Sequence, residues 1–332
     1  MPHLPLGHGR EFDLLRAIYT RLGSAAAPLG DDCALVRVGG ATLAASIDAS
    51  LEGVHFRTDW LSFEEIGWRA AAAALSDLAA EGAKPVGVLV SLGVPDGGWG
   101  KGEGGRVRQA PAQNPAQAPA VEIMAGVAAV ARSVGAKVLG GDLTRAERYF
   151  VDVCVLGTAA RPVRRRGAQG GDGLWVTGRL GGGRLALESW EAGRRPEDAL
   201  ARRFARPEPR VAAGRWLAAR GARAMIDVSD GLAADAAHLA VASGVALDIA
   251  LELVPCWPGA APLVAAASGE EYELLVALPP AFGDRQARAF ARRFGLPLTR
   301  IGTCARGAGV RLSDRGVAVA PPAGYDHFAP RP

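Results

Sequence analysis

The sequence predicts a two-domain protein of the α/β (α+β) class. Its 332 residues exceed the usual size of one domain, and a hydrophobic content of 49% is enough for sizeable cores. Strand-like and helix-like segments alternate in both halves, as they do in proteins that pack helices on sheets. We place the first domain at residues 1–160 and the second at residues 161–332, joined by the basic, glycine-rich segment RPVRRRGAQGGD.

The first domain is predicted to begin with a helix over residues 11–22, whose apolar residues have helical spacing. The next segment, GDDCALVRV, has two aspartates directly before a predicted strand. The next strand, TLAASID, alternates, so Ser46 and Asp48 share a face at its end. A long helix comes after it, because Ser62 and Glu65 have the spacing of a capping box.

Asp77 lies near the end of this long helix, which Gly82 and Pro85 terminate. It shares a helical face with Ile66 and other apolar residues, so we expect it to be buried. The helix dipole disfavours an anion in the last turns. The carboxylate therefore needs a positive partner, and a bound cation near Asp48 would supply one.

The remaining elements of the first domain surround a compositionally unusual segment. VGVLVSLGVP, KVLGGD and YFVDVCVLGTA are predicted strands, and VEIMAGVAAVARSVG is a predicted helix. Residues 97–120 are rich in glycine, proline, glutamine and alanine, which predicts a flexible surface insertion.

The second domain repeats the alternation of strands and helices. Its predicted strands are GLWVTG, ARAMID, EYELLVALP and LTRIGT. Its predicted helices are GGGRLALESW, PEPRVAAGRWLAARG, VSDGLAADAAHLAVASG and DRQARAFARRFG.

The net charge of +4 does not predict a nucleic-acid-binding protein. Lysine occurs only at Lys84, Lys101 and Lys137, and aromatic residues (6%) are not interleaved with basic ones as a stacking surface requires. The four cysteines form no CxxC pair, which argues against zinc and a disulfide framework.

A cytoplasmic protein is expected from the remaining sequence signals. Glu11 and Asp13 interrupt the region where the apolar core of a signal peptide would lie. No apolar run is long enough to span a membrane.

The chemistry-bearing residues are aspartates at the ends of predicted elements, beside small residues. They are Asp31, Asp32, Asp48, Asp77, Asp142, Asp227 and Asp230. A single such aspartate is most often a turn or helix cap, but Asp77 is neither. If the set converges, its charge requires cations, and oxygen-only ligands suit Mg²⁺. Because Mg²⁺ commonly shares its shell with substrate phosphates, the predicted chemistry is phosphoryl transfer from a nucleotide.

The familiar nucleotide-binding motifs are missing, since the chain has neither GxxxxGK(S/T) nor the kinase glycine-rich loop. The helix start at Ser229–Gly231 is instead expected to offer free N–H groups to a metal-bound phosphate. Arg164, Arg165 and Arg166 are either a solvated charge run or a phosphate clamp. For each of His55, Glu270 and Tyr325, two interpretations remain: an ordinary surface residue, or a residue that binds the substrate.

These motifs together resemble the thiamine-monophosphate kinase family, within the superfamily of aminoimidazole ribonucleotide synthetase and selenophosphate synthetase. The resemblance covers nearly the whole chain. It rests on GDDCALV, SIDASLEGVHF, IGWRAAAAALSDLAAEGAKP, GGDLTRA, DVSDGLAAD, SGEEYELL and GYDHF. VHFRTDW with LSDLAA, and the final GYDHF, look specific to the thiamine-phosphate branch.

The resemblance implies ATP-dependent phosphorylation of thiamine monophosphate to thiamine diphosphate, with direct transfer of the γ-phosphoryl group. It also implies an aminoimidazole ribonucleotide synthetase-like homodimer, whose N-terminal sheets pair into a barrel with the nucleotide site at the interface. Asp48, Asp77, Asp142 and Asp230 are expected to be essential for catalysis. The Mg²⁺ set carried over is Asp32, Ser46, Ile47 (by its backbone), Asp48, Asp77, Asp142, Asp227 and Asp230. The ATP contacts are Gly141, Asp142, Arg165 and Ser229, and the thiamine-phosphate pocket is His55, Glu270 and Tyr325.

Some positions depart from the family pattern. Ile47 and Ala49 stand where threonine is common, and Glu271 stands where aspartate is usual. Two alternatives are another ATP-using member of the superfamily, such as an aminoimidazole ribonucleotide synthetase-like enzyme, and a non-catalytic nucleotide-binding protein. Cys33 lies inside a predicted strand, which argues against a selenophosphate synthetase.

Overall fold

A computed structural model describes residues 10–26, 30–95, 118–322 and 324–325. Within them the chain forms two β-sheets, one built from residues 34–158 and the other from residues 173–319. The mixed α/β class predicted from the sequence is confirmed.

The first sheet has five strands in the order β1-β2-β5-β3-β4. Its strands are β1 (Ala34–Val38), β2 (Ala41–Leu51), β3 (Lys84–Pro95), β4 (Lys137–Ala146) and β5 (Phe150–Thr158). Neighbours are antiparallel except β3 and β4, which are parallel because the helix between them crosses over one face.

The described helices of this half are α1 (Arg10–Leu22), α2 (Phe63–Ala80) and α3 (Pro119–Ser133). The capping box at the start of α2 is present: Ser62 Oγ accepts from Glu65 N, and the Glu65 side chain accepts from Ser62 N. The prediction of an insertion over residues 97–120 is wrong for its last two residues, because α3 begins at Pro119. Residues 97–117 lie outside the described residues.

Helices α2 and α3 pack over one face of the first sheet, and the buried valines of β5 point into this core. The other face carries large apolar side chains that remain exposed in the single chain: Ile47 is 66% and Leu139 is 49% exposed. The edge strand β4 is exposed along nearly its whole length.

The second sheet has seven strands in the order β12-β11-β8-β10-β6-β9-β7. Its strands are β6 (Gly173–Thr177), β7 (Ala224–Asp227), β8 (Ala246–Ala250), β9 (Leu274–Leu278), β10 (Leu298–Ala305), β11 (Gly309–Asp314) and β12 (Val317–Val319). The described helices around it are α4 (Gly182–Glu191), α5 (Asp198–Ala205), α6 (Val211–Ala218), α7 (Leu232–Ser243), α8 (Pro262–Ala267) and α9 (Asp284–Phe294).

Close backbone contacts fix α2 between the two sheets. A Cβ on Gly67 of α2 would lie 1.8 Å from Ile123 O of α3, and one on Gly214 of α6 would lie 2.0 Å from Ala79 O of α2. Side chains at these glycines would force the helices apart. The approach to α6 brings Asp77, near the C-terminus of α2, next to Asp227 at the end of β7.

We expect Gly126→Ala to destabilise the protein, although alanine normally favours a helix over glycine by ~1 kcal/mol. A Cβ at Gly126 would lie 1.9 Å from Glu64 O, so α2 and α3 must separate. Overpacking of this kind costs about 1–3 kcal/mol, which a drop in melting temperature would report. Gly40→Ala is the control, because nothing lies within 4 Å of a Cβ there. Equal melting temperatures for the two variants would contradict the close-packing argument.

Candidate active site

A cleft of about 630 Å³ lies between the two sheets and is lined by residues of both. It gathers most of the residues that the sequence singled out. Those that line it are Asp32, Ile47, Asp48, His55, Asp77, Arg165, Asp227, Ser229, Asp230, Glu270 and Tyr325.

Three carboxylates from separate parts of the fold meet at the floor of the cleft. Asp32 precedes β1, Asp77 lies on α2 and Asp227 ends β7, and one oxygen of each lies within 4.8 Å of the others. Asp32 and Asp227 are buried, at 9% and 3% exposure. Asp77, which the sequence predicts to be buried, is half-buried, because the cleft opens beside it. Ser46, on β2, donates its hydroxyl proton to Asp77 Oδ2 at 2.5 Å.

Burial and mutual repulsion make this cluster unfavourable as a set of anions. Burial, followed by the charges of Asp227 and Asp32, raises the pKa of Asp77 well above its ordinary value. Burial and the Asp32 carboxylate raise the pKa of Asp227 to about 8. Burial and the nearby Asp152 carboxylate raise the pKa of Asp48 to about 6.

Arginines of the inter-domain segment offset part of this charge. Arg165 Nη2 lies 2.9 Å from Asp32 Oδ1, and the Arg165 amide donates to Asp31 Oδ1 at 3.0 Å. Arg164 lies 3.7 Å from Asp31. In the structure, these two arginines pair with carboxylates of the first domain.

The cluster fits a hard divalent cation. Asp32 Oδ2 is buried and has no hydrogen-bond partner among the residues that the structure describes. The converging side chains offer only oxygen, the donor that Mg²⁺ prefers. A cation would neutralise the repulsion that, together with burial, raises the pKa values of Asp77 and Asp227.

The expectation of free N–H groups at Ser229–Gly231 is wrong. The amides of Ser229, Asp230 and Gly231 all donate to Asp235 Oδ2, each at 3.1 Å. Asp235 lies in the first turn of α7 and its side chain reaches back over the helix start, so these donors are not available to a phosphate.

The glycine-rich turn before α4 is closed in the same way. Glu271 Oε1 accepts from the amides of Gly181 at 2.8 Å and Gly183 at 3.2 Å. Glu271 is fully buried. Two helix starts beside the cleft are therefore already occupied by carboxylates of the protein.

The residues assigned to the organic substrate line the same cleft and are called its organic end below. His55 Nδ1 accepts from the Leu51 amide at 3.0 Å. Glu270 adopts a φ of +62°, which non-glycine residues rarely do, and its Oε2 accepts from the Tyr272 hydroxyl at 3.1 Å. The Tyr325 side chain is 52% exposed at the rim.

Arg69 is a cleft residue that the sequence analysis missed. Its buried guanidinium forms an ion pair with Glu270, donates to Phe204 O at 2.5 Å and lies 3.7 Å from the Phe204 ring. The available signal was an arginine within the otherwise apolar face of α2. A buried charge needs a partner, and Glu270 is that partner.

Gly141 and Asp142 are not brought to the cleft within one chain. Asp142 pairs with Ser91, Ser91 with Asp152, and Asp152 with Ala49. Asp142 therefore lies on the open face of the first sheet, which is the face that α2 and α3 do not cover. Three inter-strand steps of about 4.8 Å place it about 14 Å from Ala49. Ile47 is beside the cleft, but its side chain belongs to the same open face.

Comparison with known families agrees with this architecture. Residues 30–159 match the model of the AIR synthase related protein, N-terminal domain, and residues 169–315 match that of the C-terminal domain. The chain belongs to the AIR synthase related proteins.

Comparison with curated proteins identifies the family within the AIR synthase related proteins. A thiamine-monophosphate kinase of Aquifex aeolicus is 32% identical over 333 residues, covering 96% of this chain and 98% of the relative. The enzyme of that name from Mycobacterium tuberculosis is 37% identical over 222 residues, or 66% of this chain and 62% of the relative's length. This chain is a member of the thiamine-monophosphate kinase family.

Solved structures give the same result. The structure of AaThiL complexed with AMPPCP and TMP superposes with a TM-score of 0.80 and 29% identity, covering 99% of each chain. A thiamine-monophosphate kinase from Stenotrophomonas maltophilia has a TM-score of 0.73 and 31% identity, covering 95% of this chain and 98% of that one.

Two further sequence expectations can be compared with the structure. Among the described helices, none is long and apolar enough to cross a membrane. Cys33, Cys154, Cys256 and Cys304 are all free cysteines.

We expect the metal-free protein to lose stability as the pH rises. The folded pKa of Asp227, about 8, exceeds its ordinary value of 3.8, so the folded state keeps a proton that the unfolded chain releases between these values. Stability from this group is therefore present at low pH and is lost as the pH rises through about 8. Melting temperatures in a chelator, at about pH 6 and about pH 8, would measure this.

Mg²⁺ should reverse the trend, because a cation binds the deprotonated carboxylates and replaces their protons. The rise in melting temperature on adding Mg²⁺ should be larger at about pH 8 than at about pH 6. An equal rise at both pH values would contradict the assignment of the buried carboxylates as cation ligands.

Proposed function

We propose that this chain transfers the γ-phosphoryl group of ATP to the phosphate of thiamine monophosphate, giving thiamine diphosphate and ADP. The observation that carries the proposal is a single cleft lined both by an acidic cluster, its acidic end, and by an aromatic-rich pocket that contains Glu270. A relative that this chain matches over 98% of its length is a thiamine-monophosphate kinase, which supports the same reaction. The similar structure complexed with AMPPCP and TMP supports it as well.

Mg²⁺ is the cation we assign to the acidic end. Its ligands within one chain would come from Asp32, Ser46, the Ile47 backbone, Asp48, Asp77, Asp227 and Asp230. When bound, Mg²⁺ neutralises the charge on the phosphoryl oxygens during transfer.

The residues of the chain mainly bind and orient the reactants. The attacking phosphate oxygen of thiamine monophosphate is already anionic, so a strong general base is not required. Arg165 and Ser229 are assigned to ATP. Because the acceptor and donor are both held in one cleft, positioning and charge neutralisation supply most of the rate.

The organic end suits the chemistry of thiamine. An aminopyrimidine offers N–H donors that a carboxylate such as Glu270 can accept, and the aromatic ring of Tyr325 can pack on a flat heterocycle. His55, whose Nδ1 is fixed by the Leu51 amide, completes this pocket. Arg69 holds the Glu270 carboxylate in place rather than touching the reacting atoms.

We also propose that the active unit is a homodimer formed through the first sheet. The open face exposes Ile47, Leu89 and Leu139 beside the unpaired edge of β4, which is the arrangement that favours pairing with another chain. Gly141 and Asp142 lie on that strand, so a second copy can bring them to the cleft that one chain leaves without them.

The two halves would then have different tasks. Residues 1–160 form the domain for cation binding, nucleotide binding and dimerisation, and residues 161–332 form a C-terminal α/β domain that closes the cleft. Asp227, Ser229 and Asp230 are its main contribution to the acidic end, and Glu270 and Tyr325 are its contribution to the thiamine pocket.

Asp77→Asn, and separately Asp48→Asn, should lower turnover by at least ~100-fold, because each removes a charge that holds the cations at the transferring group. The assay contains ATP, Mg²⁺ and thiamine monophosphate, and mass spectrometry follows thiamine diphosphate and ADP together. Asp248→Asn is the control, since Asp248 pairs with Arg311 on the surface of the second sheet. Turnover near the wild-type rate in a folded Asp77→Asn protein would sink the cation assignment.

Leu139→Arg should convert the dimer to a monomer and abolish turnover, because it places a charge on the open face beside Gly141. Light scattering would compare its mass with that of the 34.3 kDa chain. Val317→Arg is the matched control, since Val317 is 68% exposed at the edge of the second sheet. A wild-type protein that is monomeric and active would refute the proposed assembly.

A further inference from the structure

We propose that Asp235 is the positioning residue that fixes both ends of the cleft through one loop, residues 228–231. This inference deepens the proposed function and rests on it. One side of the loop is held by Asp235, and the other side holds the residues of the thiamine pocket.

The N–H side of the loop converges on a single oxygen. Three consecutive amides, of Ser229, Asp230 and Gly231, donate to Asp235 Oδ2. This arrangement requires an unusual backbone, and Gly231 has a φ of +117° that a side chain would strain. Asp235 therefore determines where the Asp230 carboxylate and the Ser229 hydroxyl stand relative to the acidic cluster.

The carbonyl groups of the same loop accept hydrogen bonds from the amides of Glu270, Tyr272 and Tyr325. Val228 O accepts from the Tyr272 amide at 2.8 Å, and Ser229 O accepts from the Glu270 amide at 2.7 Å. Asp230 O accepts from the Tyr325 amide at 3.2 Å. Glu270 and Tyr272 both have positive φ, +62° and +48°. The segment 270–272 therefore depends on its hydrogen bonds to the 228–231 loop to keep a strained conformation.

Asp235 lies in a dry, partly anionic environment that disfavours a negative charge. Asp235 is 2% exposed, and Asp230 and His238 lie close to it. Burial, followed by the charges of Asp230 and Asp227, raises the pKa of Asp235 well above its ordinary value, and Arg165 offsets part of this shift. Position 235 nevertheless carries an aspartate, and its Oδ2 accepts hydrogen bonds from three backbone N–H groups.

Asp235 acts on the cations through the backbone. Its Oδ2 already accepts three hydrogen bonds, so that oxygen is committed to the loop. Residues that orient metal ligands in this way typically affect metal affinity or activity by about 10–100-fold when they are replaced. The loop geometry predicts that one substitution weakens cation binding and thiamine monophosphate binding together.

The test compares Asp235→Asn and Asp235→Ala with Asp172→Asn in the full chain. Asp172 is a matched control because it is also fully buried and its Oδ2 accepts the Gln169 amide at 2.8 Å. It lies beside Arg223, away from the cleft. All three variants should lose melting temperature, which separates the general cost of altering a buried carboxylate from the effect on the cleft.

Two readouts distinguish positioning from stability. Mn²⁺ binding, followed by electron paramagnetic resonance with a non-hydrolysable ATP analogue, should weaken about tenfold or more in both Asp235 variants. The KM for thiamine monophosphate should rise in the same variants. In Asp172→Asn both quantities should match the wild type, and Asp235→Asn should be milder than Asp235→Ala because its amide oxygen still accepts hydrogen bonds.

Wild-type Mn²⁺ affinity and KM in destabilised Asp235 variants would overturn the inference, because Asp235 would then be structural only. A shift in Mn²⁺ binding without a shift in KM would overturn the coupling of the two ends. A wild-type protein that never converts thiamine monophosphate would overturn the proposed function instead, and the Mn²⁺ readout would still test whether Asp235 holds the cation side.

Discussion

The repulsion among carboxylates held close together between the two sheets is the constraint on which the rest of the site depends. Asp32, Asp77 and Asp227 are too close together to remain charged without compensation, and burial removes the water that would otherwise screen them. Arg165 neutralises only Asp32 directly. The remaining charge is balanced by protons when no cation is present, and a divalent cation is the natural replacement. Metal affinity, stability and pH response are therefore expected to vary together.

Two helix starts beside the cleft are blocked as phosphate-binding sites. Helix starts commonly bind phosphate through free amides, yet here Asp235 occupies the start of α7 and Glu271 occupies the start of α4. A phosphate approaching either helix would meet a carboxylate. In the proposed function, cations held by acidic side chains, together with arginine, would attract the nucleotide. This explains why the sequence contains no glycine-rich phosphate-binding motif although a nucleotide is the proposed co-substrate.

Particular residues show how far sequence reasoning reaches. The capping box of α2 and the burial of Asp77's helical face were predictable because they depend on local hydrogen bonds and helical periodicity. The amides at Ser229–Gly231 were predicted wrongly, because helix propensity does not reveal that a side chain one turn later will turn back to cap them. Arg69 was missed because its role depends on Glu270, two hundred residues away in the sequence. Residues distant in sequence meet only through tertiary packing.

The sequence by itself determined the α/β class, the order of the elements in the first half, the oxygen-rich character of the site and the family. Local periodicity, capping and motif spacing carry that information. The tertiary structure alone decided which aspartates form one cluster, because Asp32, Asp77 and Asp227 meet only when α2 packs against α6 and β7. It also decided that Gly141 and Asp142 lie on an exposed edge strand. Strand pairing and helix contacts set distances in space, and sequence spacing does not contain them.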